Sequence, residues 1–198
     1  QHESYSSSVE QYCPEAKVVW DRFHLVQKFN DALNEERKLE WENIDPEGKM
    51  GDLISGKYKY IFLTKAKNRK SKDVSHLEEV MKLNERMTKL EIIKERFHQI
   101  FDCSDPMEAQ VILCQCYEWA WKAKAQHIVK WIWSIMEDQR FWNYFEYKVT
   151  TGLSEGINNV IKALKRQAFG YKDMAYFALK ILQKCGFLNT RNYSLATN

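Results

Sequence analysis

Chain breakers are scarce: the 198 residues include only 7 Gly and 3 Pro. That argues against a many-stranded sandwich, which needs frequent turns, and favours long helices. No apolar run approaches the roughly 18 to 20 residues that span a bilayer. Nor does a charged segment followed by an apolar stretch open the chain as a secretory leader would. Both absences imply a soluble, intracellular protein. The five cysteines lack zinc-ligand spacing, and Cys114 and Cys116 fall on different faces of a helix-like segment, so buried free thiols are expected. Charge of one sign is lacking too. Thirty Lys and Arg against 27 Asp and Glu leave a net charge of +3, too little by itself to imply a nucleic-acid partner.

Apolar and aromatic residues are plentiful. Hydrophobic residues make up 44% of the chain and aromatics 14%, a composition that folds rather than stays disordered, and the length is enough to bury a real core. Tyr5, Val9 and Tyr12 share one face of a helix over residues 2–12 that Pro14 ends. Ala16 to Trp20 is a short run bounded by Pro14 and by Asp21 and Arg22, as suits a strand buried on both faces. Helix resumes through Phe23, Val26, Phe29, Leu33 and Arg37 and closes at the turn Asp45 to Gly48. Lys57 to Thr64 alternates Tyr58, Tyr60 and Phe62 against Lys57, Lys59 and Ile61, predicting a second strand.

Beyond a basic loop the pattern is helical: one long helix over about Val74 to Phe101, another through Ile112, Cys116 and Trp119 that opens at Asp105-Pro106, and a third through Ile128, Ile132, Ile135 and Met136. The aromatics from Trp119 to Phe145 suit packing between these helices, or base stacking. A final helix over about Lys172 to Lys184 turns Met174, Phe177, Ala178, Ile181 and Leu182 inward and stops at Gly186. The tail from Asn189 is expected to be loose.

Two basic clusters and two carboxylates carry candidate chemistry. Lys65, Lys67, Arg69, Lys70 and Lys72 crowd one loop, readable as phosphate contacts or as solvated surface. Ile157, Val160, Ile161 and Leu164 form the apolar stripe of a helix whose other face holds Glu155, Asn158, Asn159 and Lys162, followed by Lys165 and Arg166. Asp21 ends the first predicted strand, and Glu155 opens this helix after a turn with Gly152. Each has an ordinary structural reading, Asp21 as an N-cap and Glu155 as a complement to the helix dipole. Chemistry on phosphodiesters uses acidic side chains to hold two divalent metals, and hard oxygen ligands suit Mg or Mn.

Pro14 to His24, PEAKVVWDRFH, and Thr151 to Tyr171, TGLSEGINNVIKALKRQAFGY, resemble two blocks of the bacterial insertion-sequence transposases of the family called ISL-three. The resemblance is close at these blocks and looser through the helical middle. It implies a fold similar to ribonuclease H and a triad of two aspartates and a glutamate that binds two Mg or Mn ions. Asp21 then matches the second aspartate and Glu155 the glutamate, as catalytic residues and metal ligands. Asn158, Lys162, Lys165, Arg166, Lys65, Lys67 and Arg69 would contact DNA, with His24 and Arg22 beside the metals, although a lone histidine beside a packed strand end is more often structural.

Two departures accompany the resemblance. The family shows an aspartate about five residues before a tyrosine; with Tyr5 as that tyrosine, it would precede Gln1, and Glu3 and Glu10 do not match its place. Thr151 stands where the family usually has asparagine. The expectation is a mostly α chain: residues 1–64 and 151–188 a remnant of a ribonuclease-H-like α/β core with about two strands, 65–150 an all-helical insertion, 189–198 the tail. It would be part of a cytoplasmic bacterial DNA transposase, inactive alone and prone to self-association. Without neighbouring strands, the two strands would either pair with another copy or deform and leave the fold to the helices. The competing reading is a helical nucleic-acid-binding or interaction module without chemistry.

Overall fold

The structure, a computed structural model, describes residue 9 and residues 11–45, 47–147 and 152–186, and the side chains of 152–155 are not among what it describes. Most of the expected helix over 2–12 lies outside the described residues, although Val9, Gln11 and Tyr12 are helical. The tail from Asn189 also lies outside them. The chain divides into two compact units, Gln1–Val149 and Thr150–Asn198.

The first unit contains α1 (Arg22–Glu42), α2 (Lys49–Leu53), α3 (Lys59–Leu63), α4 (Ser71–Leu83), α5 (Glu85–His98), α6 (Pro106–Lys122), α7 (Gln126–Met136) and α8 (Gln139–Tyr147). The second contains α9 (Gly152–Gln167) and α10 (Met174–Cys185). Mostly α is therefore correct, and no strand is present among the described residues.

Both predicted strands are corrected. Lys57 to Thr64 forms a 3-10 turn over Gly56–Tyr58 that runs into α3. Its apolar residues satisfy two periods at once. Tyr58, Ile61 and Phe62 stand at i, i+3 and i+4, and the helical solution buries Phe62 and packs the other two on the core while Tyr60 is left exposed. Ala16 to Trp20 has no regular secondary structure, and Val18 to Trp20 are only half-buried. Contacts to α8 and the turn before it hold it: the Trp20 N–H donates to the Arg140 carbonyl (3.0 Å), its indole to Asp138 (2.8 Å), and Asn143 to the Val18 carbonyl (2.8 Å). The helices carry the fold.

The core of the first unit lies where α1, α5, α6 and α7 meet. Leu25, Phe29 and Leu33 of α1 face Leu90, Ile93 and Phe97 of α5 and Ile128 and Ile132 of α7, all buried. Phe29 stacks on Phe97 with ring centroids 4.1 Å apart, and Trp131 places its edge against both, at 5.5 and 5.2 Å. Each such ring stabilises the fold by about 2–3 kcal/mol of burial. Most aromatics between Trp119 and Phe145 thus pack between helices, but Trp121 and Trp133 are more than half exposed. Cys116 is the one cysteine among the described residues that is buried, and burial pushes its thiol up to about 12; Cys114 is exposed on the opposite face, as its spacing requires.

The expected single helix over Val74 to Phe101 is two. Asn84 leaves helical geometry (φ −137°, ψ 105°), and its side chain accepts the Met87 N–H (2.8 Å), capping α5. Asp105 caps α6 through the Met107 N–H (2.9 Å), with Pro106 at the first helical position, as the sequence suggests.

In the second unit α9 packs on α10. Leu164 and Phe177 are buried, and Tyr171 stacks on Phe177 at 4.6 Å. Of the residues expected inward on α10, Phe177 is buried and Ile181 half-buried, whereas Met174, Ala178 and Leu182 are exposed. Asp173 caps α10 by accepting from the Ala175 and Tyr176 N–H groups.

Candidate functional site

Asp21 begins α1 as its N-cap, with extended backbone angles. Oδ1 accepts the Phe23 N–H at 2.8 Å, and Oδ2 lies 3.2 Å from His24 Nδ1. The carboxylate is 21% exposed and His24 42%. Each oxygen therefore has one partner and retains a lone pair. Arg22 turns away and lays its guanidinium 4.7 Å from the centre of the Phe101 ring. The cap explains why a short acid stands where an irregular segment meets a helix. It also holds the carboxylate at the positive end of α1, where an anion is favoured.

A divalent ion of the Mg or Mn class needs several hard oxygens. Asp21 fits as one of them, being anionic, partly exposed and fixed in orientation. Glu155 is in the first turn of α9, which starts at Gly152 where a turn was expected, but its side chain lies outside the described residues, as does Thr151. Among the described residues no group of three or more His, Cys, Asp or Glu side chains stands ready to hold a metal.

The basic residues separate into three situations. Arg69 is committed inside the first unit, its side chain 3% exposed: two of its nitrogens grip Glu91 at 2.7 and 2.8 Å, and Nε donates to the Ile61 carbonyl at 2.9 Å. That leaves it no open face for a phosphate. Lys65 is half-buried, and Lys67, Lys70 and Lys72 are exposed around it. In the second unit Asn158, Asn159, Lys162, Lys165 and Arg166 are all exposed along α9.

Lys162, Lys165 and Arg166, with Phe169 and Gly170, line an open depression of about 520 Å³. Phe169 is fully exposed. Sequence reasoning passed over it, because a lone aromatic past the end of a helix carries no period; the only signal was its place between a basic helix end and a glycine. What this surface offers is cations for phosphate oxygens and a flat apolar ring beside them.

Among the described residues no helix is long and apolar enough to cross a membrane. No solved structure matches the chain. The transposase for insertion sequence element IS1001 of Bordetella parapertussis is 24% identical over 185 residues, 90% of this chain. The chain spans 44% of that relative's length. A family model described as a transposase, of the DDE and ISL3 type, matches residues 1–181. On that match, which covers more than nine-tenths of the sequence, the chain belongs to the ISL3 family of transposases.

Proposed function

We propose that this chain forms part of the catalytic domain of a DDE transposase that cuts DNA at the ends of an insertion sequence and joins the freed 3′ end to a target. The observation that carries the reading is the family match over residues 1–181. The exposed lone pairs of Asp21 at the start of α1 support it.

Asp21 and Glu155 are the proposed catalytic carboxylates and metal ligands, on a core of ribonuclease-H type that would join residues 1–64 to 151–188. No residue of 1–198 is assigned as the remaining aspartate of the triad. Two Mg or Mn ions, when bound, supply activation of the attacking oxygen and stabilisation of the leaving oxygen. The chain's own residues orient the substrate. His24, 3.2 Å from Asp21, restrains that carboxylate. Asn158, Lys162, Lys165 and Arg166 hold the DNA backbone, contacts that set position and carry no sequence information. Lys65 and Lys67 offer a second phosphate surface, and Arg69 supports their loop. The exposed Trp121 and Trp133, with apolar Met107 and Val111 on α6, suit the self-association that pairing of two DNA ends requires.

The reading is tested in a full-length transposase carrying this sequence, by divalent-metal-dependent nicking of DNA that bears the element's ends. Glu155→Gln should abolish nicking while end binding persists. Nicking that survives this substitution overturns the Glu155 assignment, whereas an unsubstituted protein that binds DNA through the lysines and never nicks it would be a non-catalytic nucleic-acid-binding module.

A further inference from the structure

The C-terminus of α9 ends in a left-handed turn with an unusual occupant. The Gly170 N–H donates to the Lys165 carbonyl (2.9 Å) and the Phe169 N–H to the Arg166 carbonyl (3.1 Å). This is the paired hydrogen-bond pattern that closes a helix with its last residue in the left-handed region, a place glycine usually takes because it has no Cβ. Here it is taken by Phe169, at φ 51°, with Gly170 following at φ 100°. A bulky residue in that region is strained. Strain of this kind is commonly offset by burying the side chain, yet the Phe169 ring is fully exposed.

The end of α6 shows the ordinary solution. There the Ala125 N–H donates to Ala120 and the Lys124 N–H to Trp121, the same pattern, and the left-handed residue is Lys124 at φ 55°. A lysine loses nothing by standing in water. At Phe169 both the backbone conformation and the exposure of the ring work against folding, and no contact among the described residues offsets either. The ring is also not isolated. Lys162, Lys165 and Arg166 line the same depression.

We infer that Phe169 is a stacking platform for an unpaired DNA base whose flanking phosphates are held by Lys162, Lys165 and Arg166. This rests on the proposed binding of DNA by the same face and specifies the form of DNA it takes. Cations beside an exposed aromatic are the means by which proteins hold single strands, because every base has a flat face that stacks on a ring. Bases inside an intact duplex are already stacked on each other and offer no such face. The substrate class is therefore a single strand or a splayed end.

The test compares a short single-stranded oligonucleotide carrying one 2-aminopurine with a blunt duplex of the same sequence. It uses the 198-residue chain and its Phe169→Gly and Phe169→Trp variants. Wild type should bind the single strand and quench its fluorescence. Phe169→Gly should lower single-strand affinity by roughly 5- to 150-fold, the range expected for loss of one stacked base, and abolish the quench, with duplex affinity changed less than about 2-fold. It should also raise the melting temperature by relieving the left-handed strain. Phe169→Trp should keep both binding and quench. A Lys165→Ala, Arg166→Ala double variant should weaken both ligands.

The inference is overturned if Phe169→Gly leaves single-strand affinity unchanged or lowers both ligands equally. It is also overturned if that variant dissociates a self-assembled form in sedimentation while DNA binding is untouched, since the ring would then be a protein contact. If wild type binds neither ligand, DNA binding by this face fails and the stacking role with it. Duplex binding without a Phe169 effect removes the stacking role alone.

Discussion

Arg69 and Glu91 form a bidentate ion pair inside the first unit, with N–O distances of 2.7 and 2.8 Å. Lys94, fully buried, completes a triad by donating to the same carboxylate at 2.8 Å and to the Phe62 and Thr64 carbonyls. Burial lowers the Lys94 ammonium from its ordinary range, and Glu91 opposes that shift. Glu91 thus faces two cations, one of which, Lys94, also pairs with Glu95 (3.2 Å), and it ties the end of α3 and the basic loop to α5. Glu91→Gln would leave Arg69 buried without its counter-charge and Lys94 with Glu95 alone, and should destabilise by about 3–5 kcal/mol. Chemical denaturation reads this directly, and a loss below about 1 kcal/mol would show that the triad is dispensable.

The same pair separates Arg69 from its neighbours in function. Arg69→Met should lower stability while leaving DNA affinity and its salt dependence near wild type. Lys67→Ala, at an exposed site, should leave stability within about 0.5 kcal/mol. If Lys67 touches phosphate, the same change should reduce the salt slope of binding by about one unit.

Asn84 has two duties where one helix was expected. Its oxygen caps α5 at Met87, and its amide donates to Glu40 of α1 at 2.6 Å. Arg86 reaches Glu36 and Glu40 from the next turn, and buried Glu36 also accepts from the His127 backbone N–H. Asn84→Ala should cost about 1–2 kcal/mol from the cap, with a further loss because Glu40 gives up a donor. Asn84→Asp keeps the cap but sets two carboxylates together, so it should recover only part of that loss in a denaturation series.

Legibility followed the strength of local signals. Asp105-Pro106 and the periodic runs of α1, α6 and α7 could be read because cap chemistry and a helical stripe agreed there. Lys57 to Thr64 misled because Tyr58, Ile61 and Phe62 serve a helix as well as an alternating strand. Only the surfaces of α1 and α4, distant in sequence, decide between them. The break at Asn84 was hidden inside a continuous apolar pattern, since a capping asparagine is also an ordinary helix-surface residue. At the candidate site Asp21 was legible as a cap. The burial of Arg69 was not legible, because its partner Glu91 lies 22 positions away.

His98 predicts an acid-sensitive core. It is buried, its Nε2 has no hydrogen-bond partner, and burial, aided by Lys65, lowers its pKa to about 4 from 6.5. The imidazole is neutral in the folded chain and takes a proton more readily once unfolded. Its contribution is therefore full above pH 6.5 and is lost as pH falls from 6.5 towards 4. Melting temperature should drop between pH 6.5 and 5, before most carboxylates titrate, and His98→Leu should flatten that interval. An unchanged slope in the variant would assign the acid sensitivity elsewhere.

Asp21 carries a structural and a proposed catalytic role on one carboxylate, and the two separate by substitution. Asparagine caps helices as well as aspartate does, so Asp21→Asn should keep the Phe23 N–H bond and hold stability within about 0.5 kcal/mol, whereas Asp21→Ala should cost about 1 kcal/mol. A neutral amide is a poor ligand for Mg or Mn compared with a carboxylate. In a full-length transposase carrying this sequence, Asp21→Asn should therefore abolish nicking as fully as Asp21→Ala, with melting temperature preserved. If instead nicking follows stability, retained in the asparagine variant and reduced in the alanine variant, Asp21 acts only as the cap of α1 and the metal ligand must be sought on another element.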